Sequence, residues 1–410
     1  MEQCGKAVVG CCNKAVYYAS MHYMRRPFLF VMTAMVLLLA APVHAATFET
    51  AGWVPYWRYA TGTTDALVHL DALSEVNPFV FTLKSDGTLV DSGPLATTTW
   101  QTLITAAQAK KVRVIPTIMS GNGAFMHSQL SNATRRRALE DRIAAMVNDG
   151  GYDGVDIDFE AKKAETKKYF STFLKGLAQR LGPKKWLICT VEARTPPADA
   201  FAEVPVKLEY SNDYKAIGKY CDRVRIMAYD QQSADLSLNF EHLGYLYAPV
   251  ADPAWVEKAL RLAMKEIPKN KLVLGIPTYG YEYDVVGDPE HGYTYDILWT
   301  FNQRYAIELA TENNIMPQRQ STGEMAFSYH APSDLVTTPS GATVSATSGE
   351  LVRAPTTVAS TFRYVVWEDA SAIQSKIALA QRLGIRGVAV FKIDGGEDMG
   401  MWQYIAAAKK

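Results

Sequence analysis

Gly151-Tyr152-Asp153-Gly154-Val155-Asp156-Ile157-Asp158-Phe159-Glu160 is the stretch on which the reading of this chain turns. Along an extended strand successive side chains point to opposite faces. Val155, Ile157 and Phe159 then share one face, and Asp156, Asp158 and Glu160 share the other. Packed carboxylates repel one another, and each loses hydration. Such a row survives where it meets a metal, a solvated edge or an active site. The flanking glycines and the apolar row describe a central strand feeding a helix, which disfavours a solvated edge. No histidine lies close by to complete a metal site.

Working outward, strand-like and helix-like segments alternate from residue 50 onward. Ala51–Trp57, Asn77–Leu83 and Val112–Ile118 read as the first three strands, with Ser85-Asp86-Gly87 as a hairpin turn after the second. Leu139, Ile143 and Met146 recur at helical spacing, and Gly150-Gly151 ends that helix. The acidic strand is fourth. Phe170, Phe173, Leu174, Leu177 and Leu181 then form one helical stripe. Trp186–Val191, Val224–Asp230, Leu272–Pro277 and Gly387–Phe391 are strands five to eight. Helices Ala254–Ile267 and Ser371–Leu383 precede the last two. Eight short apolar strands separated by helices predict an α/β fold, a closed (β/α)8 TIM barrel. An open doubly wound sheet lacks support, because no glycine-rich phosphate loop follows the first strand. Residues from about 281 to 364 break the rhythm between strands seven and eight. They read as a small α+β insertion on the barrel rim, with Pro339–Gly349 as an exposed turn or loop.

The chain has 410 residues, with 42 Lys plus Arg against 42 Asp plus Glu. That balance gives no reason to expect a nucleic-acid partner or an acidic membrane. Residues 1–45 read as a leader. Arg25 and Arg26 precede the apolar run Phe28–Leu39, and Val43-His44-Ala45 fits a cleavage site, the pattern of a secretory signal peptide. Residues 1–23 lie upstream of a second start at Met24 and are either mis-assigned or a long charged region. The apolar run is shorter than the roughly 20 residues of a spanning helix, so no stable membrane span is expected. Residues 46–410 are then the folded part, secreted or held in the cell envelope. Of five cysteines, Cys189 and Cys221 lie outside the leader. Two buried thiols are the expected state, although export permits a disulfide.

The opening stretch resembles the D-G-x-D-x-D-x-E signature of family-18 glycoside hydrolases, the chitinase family. Asp153, Gly154, Asp156, Asp158 and Glu160 fill all its defined positions. The resemblance covers roughly residues 50–405, by barrel count. It implies a glycosidase without a cofactor or metal, cleaving β-1,4 linkages of N-acetylglucosamine-containing polysaccharide, in chitin oligomers or peptidoglycan. It further implies substrate assistance, in which the 2-acetamido oxygen attacks its own anomeric carbon. Glu160 then protonates the leaving oxygen, Asp158 holds the acetamide N–H, and Asp156 supports Asp158 by sharing a proton. Met227-Ala228-Tyr229-Asp230 resembles the family's M-x-Y-D, with Tyr229 on the acetamide oxygen and Met227 and Asp230 at the same sugar. Gly275–Gly280 resembles a strand-seven motif and offers Tyr279 as a pocket wall. Gly52–Trp57 and Trp367–Ser371 are similar to the spore-type, peptidoglycan-directed branch. Two departures stand out. Phe391 occupies the position of the usual strand-eight tryptophan, a smaller stacking floor. Ser120-Gly121-Asn122-Gly123 is out of register with the usual S-x-G-G. A non-catalytic lectin on the same barrel is the alternative; such members usually lose the acid that Glu160 supplies here. A calcium-binding envelope protein finds no matching loop. The Asn132-Ala133-Thr134 sequon and the histidines His291 and His330 receive no role. Oligomeric state is not legible.

Overall fold

The computed structural model describes residues 47–288, 292–331 and 361–409. The expected leader and the Pro339–Gly349 loop fall outside them. Strand β1 (Glu49–Pro55) opens the fold, and β2 (Glu75–Leu83) turns into the short antiparallel β3 (Leu89–Asp91). The third barrel position is broken into β4 (Arg113–Val114) and β5 (Thr117–Ser120). Pro116 lies between them and has no N–H to give the ladder. Then come β6 (Gly154–Phe159), β7 (Trp186–Glu192), β8 (Arg223–Met227) and β9 (Leu272–Pro277). A second sheet follows, formed by β10 (Tyr279–Asp288), β11 (Gly292–Asn302), β12 (Gln318–Arg319), β13 (Met325–Tyr329) and β14 (Thr361–Trp367). Strand β15 (Gly387–Phe391) returns to the first sheet.

Eight parallel positions close on themselves, because β1 pairs with both β2 and β15. The chain is a (β/α)8 TIM barrel. Outward side chains such as Val155, Ile157, Phe159 and Cys189 pack under the surrounding helices in one continuous core. Helix Lys167–Leu181 shows why: Phe170, Phe173, Leu174, Leu177 and Leu181 are its buried face. Burying each contributes roughly 1.5–3 kcal/mol against the entropy of ordering the helix. Gly154 has a separate reason to be glycine. A Cβ there would overlap the Trp186 carbonyl on the neighbouring strand.

The barrel interior is layered by chemistry. An apolar cluster of Ala51, Trp53, Phe79, Val273 and Ala389 packs with Met119 and Phe391. A charged layer contains Arg225, Glu75, Asn77 and Asp156. Arg225 is only 1% exposed. A buried guanidinium is tolerable where its charge is paired, and here two carboxylates and an amide oxygen accept from Nη1 and Nη2, while Nε has no partner among the described residues.

The second sheet runs β11-β10-β14-β13-β12, all antiparallel. One face, with Tyr279, Tyr281, Tyr283 and Tyr364, packs on Ala248 and Val250 of the loop after β8. The other, with Val365 and Trp367, packs on Ala306 and Ala310 of helix Gln303–Glu312.

One sequence expectation is overturned. Cys189 and Cys221 are joined by a disulfide, with Cα atoms 6.0 Å apart. Cys189 points outward from β7, and Cys221 caps helix Tyr214–Tyr220 immediately before β8. The tight helix-to-strand return brings the second sulfur back over the first strand. Apolar surroundings could not distinguish that from two separate thiols.

Candidate active site

The acids of β6 alternate as the strand geometry requires. Asp156 is fully buried and Asp158 nearly so, both on the face opposite Val155 and Ile157. Glu160 follows the strand and is half-buried. Asp156 accepts from Trp53 Nε1 at 2.9 Å, Thr117 Oγ1 at 3.0 Å, Thr190 Oγ1 at 2.8 Å and Arg225 Nη1 at 3.0 Å. Both its oxygens are occupied by donors. Among the described residues no hydrogen bond joins Asp156 to Asp158; Asp156 anchors Arg225, Trp53 and the strand.

Asp158 is different. Its Oδ1 has no partner among the described residues, and the Glu160 carboxyl lies within electrostatic reach. Burial, then the Glu160 and Asp156 charges, hold Asp158 well above the usual carboxylate range. Burial, then the Glu192 charge, also raises Glu160, with Lys162 pulling the other way. Glu192 ends β7, accepts the Ala161 N–H at 3.0 Å and lies 3.8 Å from Lys162 Nζ. Lys162 is itself buried, which lowers its pKa, and it donates to the Phe159 carbonyl.

Tyr229 and Asp230 follow β8. Tyr229 lies within electrostatic reach of Asp158, Asp230, Glu160 and Asp156; burial first, then those charges, hold its hydroxyl neutral. Asp230, at φ 58°, accepts from the Tyr279 and Tyr281 hydroxyls, the latter at 2.6 Å. A short polar side chain tolerates that left-handed backbone better than most. Phe391 ends β15, its ring stacked 6.0 Å from Tyr229 and edge-on to Trp53, Phe79 and Tyr279. Met227 stands at the end of β8, in register with Glu192 and Gly275. Asp158, Glu160, Met227, Tyr229, Asp230, Tyr279 and Phe391 therefore lie at or just beyond the carboxyl ends of barrel strands, while Asp156 lies deeper, within β6. Among the described residues no group of three His, Cys, Asp or Glu is arranged to hold a metal.

Sequence reasoning missed Arg225, Lys162, Glu192 and Tyr281. Arg225 had a signal, a lone charge inside the apolar run Val224–Met227. Glu192 and Lys162 looked like ordinary strand-end and loop charges, and only their convergence on Glu160 gives them meaning.

The profile of Glycosyl hydrolases family 18 matches residues 51–396. The chain belongs to that family. Over 367 residues it is 26% identical to the uncharacterized glycosylase YvbX of Bacillus subtilis, spanning 86% of this chain and 90% of that one. It is 25% identical over 329 residues to the cortical fragment-lytic enzyme of the same organism, covering 78% of this chain and 64% of the relative. The solved chitinase of Chromobacterium violaceum shares the fold at a TM-score of 0.65 and 18% identity, over 88% of this chain and 98% of the other. As a family-18 member the chain is a glycosidase of N-acetylglucosamine-containing polysaccharide. No described helix is long and apolar enough to cross a membrane.

Proposed function

We propose that this family-18 glycosidase is exported and cuts β-1,4 linkages beside N-acetylglucosamine with retention, by substrate assistance. The observation that carries the reading is the Asp158–Glu160 pair on one face at the end of β6, with Asp158 Oδ1 buried and unpaired among the described residues and both members raised above the usual carboxylate range. A buried carboxyl with a second acid beside it holds a proton that an isolated one would release below neutral pH. In the reaction Glu160 gives a proton to the glycosidic oxygen as the C1–O bond breaks. The 2-acetamido oxygen closes on C1, and the positive charge passes to an oxazolinium ring. Asp158 turns to the acetamide N–H, and the neutral Tyr229 hydroxyl donates to the acetamide oxygen. Water then adds to C1, returns its proton to Glu160 and reopens the ring with the original configuration. Phe391 and Tyr279 supply the floor and wall against which the sugar packs. The Lys162–Glu192 pair beside Glu160 favours catalysis over binding alone, since a lectin has no use for a tuned acid.

Chitin oligomers and peptidoglycan are the two candidate substrates, in keeping with a chitinase and the cortical fragment-lytic enzyme among the relatives. Product analysis on purified peptidoglycan beside chitin oligomers separates them. Glu160→Gln is expected to lower kcat by about 10²–10⁴-fold on either, as loss of a general acid does, with sugar binding retained. Full turnover by that variant removes Glu160 from the mechanism.

A further inference from the structure

A cavity of about 400 Å³ lies between the loop after β8 and the β10–β11 hairpin, and none of the residues assigned to the reaction lines it. Its size is that of a small-molecule site, roughly 300–1,000 Å³. Its wall includes Tyr245, Tyr247, Tyr283, Tyr293, Tyr295 and Asn239, and among the described residues no lining side chain is a carboxylate, ammonium or guanidinium. His242, also on the wall, stacks flat on Tyr247 at 4.1 Å and spends its Nδ1–H on the Leu238 carbonyl at 2.8 Å.

Two polar atoms of these residues lack a partner among the described residues. Tyr283 Oη is buried and unpaired on a side chain only 1% exposed, and Asn239 Oδ1 is buried and unpaired as well. Such groups cost about 1–3 kcal/mol each when nothing meets them. An apolar ligand would leave both unmet. A phosphorylated ligand or an acidic peptide would find no counter-charge. A neutral ligand with hydroxyl and amide groups and flat C–H faces satisfies the wall. The cavity also adjoins the reaction site through a row of rings. Asp230 holds Tyr281, whose ring is 5.7 Å from Tyr283, itself 5.7 Å from Tyr295.

We propose that this cavity is a subsite for a neutral acetamido sugar, a further unit of the glycan whose cleavage is proposed above, and in substrate class it rests on that reading. It selects uncharged N-acetylglucosamine units over sugars bearing a peptide or a free carboxylate. The test is equilibrium binding of tetra-N-acetylchitotetraose to the full chain carrying Glu160→Gln, alone and combined with Tyr293→Ala or Asn239→Leu. Loss of one stacking ring is expected to weaken binding about tenfold. Asn239→Leu is expected to weaken it similarly, while Tyr293→Phe keeps the parent affinity. Thermal melting of each variant checks its fold, and either lining variant suffices if the other fails to fold. Parent affinity in the folded lining variants, or no tetramer binding by the parent, overturns the subsite. Hydrolysis is measured separately on the unaltered chain; its absence overturns the proposed reaction and leaves the binding comparison readable.

Discussion

Lys162 sets how far the acid at the barrel mouth can be pushed. Its ammonium is the largest favourable charge acting on the Glu160 carboxylate, and Glu192 is the largest opposing one. Replacing Lys162 with methionine removes a charge that lowers the Glu160 pKa and strips Glu192 of its buried partner. Both changes favour the protonated acid. Glu160 must be protonated to begin the cycle, so activity falls as pH rises through its pKa. The alkaline limb of the kcat/KM profile is therefore expected to move to higher pH in Lys162→Met. A limb that stays put, or moves toward acid, shows that Lys162 does not act on Glu160. The sequence made Glu160, Asp158, Tyr229 and Asp230 legible because a short motif holds each at a fixed place on a strand. It could not show Lys162 and Glu192. Their influence depends on burial and on β6 lying beside β7, which no local pattern records.

At the scale of the element, strands β9 and β15 were readable to the residue, since each is a short apolar run bounded by turn chemistry. Helix Lys167–Leu181 was readable from one stripe of five apolar side chains. The interruption at Pro116 was not, because an apolar run across a proline looks continuous until its ladder is traced. The charged layer inside the barrel was hidden for a related reason. Arg225 finds Glu75 and Asp156 on strands far away in sequence. The disulfide carries this lesson into a measurement. It closes a loop with a sequence separation of 32 residues, from β7 through helix Tyr214–Tyr220 to the start of β8. In the chain-entropy account a loop of that length stabilises the fold by about 3–4 kcal/mol. Reduction during denaturation is expected to lower the unfolding free energy by that order. Urea titrations with and without a thiol reductant read it directly. Coincident midpoints would mean that the two thiols hold the segment as well unlinked.

For the whole molecule, the seam where the barrel closes contains a second proton-bearing acid pair. Glu397 follows β15, and Asp65 lies on helix Tyr59–Val68 after β1. As carboxylates, Glu397 Oε1 and Asp65 Oδ2 are both buried without a donor. A proton on Glu397 turns that deficit into a hydrogen bond between the first and last barrel units. Burial, then the Asp65 carboxyl, push Glu397 up to about 9 from its ordinary 4.5. Between those values the native state keeps a proton that the unfolded chain has released. Stability must then fall as pH rises across the window, and level off outside it. The raised Asp158 and Glu160 act with the same sign. Acids held low by ion pairs, such as Glu49 beside Arg223 and Arg386, oppose them only below the ordinary carboxylate range. Glutamine at 397 keeps a donor for Asp65 and does not titrate. Glu397→Gln is therefore expected to flatten the decline in unfolding free energy between pH 5 and about 9, and to be the more stable form at its alkaline end. Denaturant titrations of both proteins across that range decide the matter. Parallel slopes would show that Glu397 stays ionised in the fold, and that the seam is held without that hydrogen bond, by packing of Ile393, Met401 and Trp402 and by contacts such as Thr61 Oγ1 to the Asp394 carbonyl.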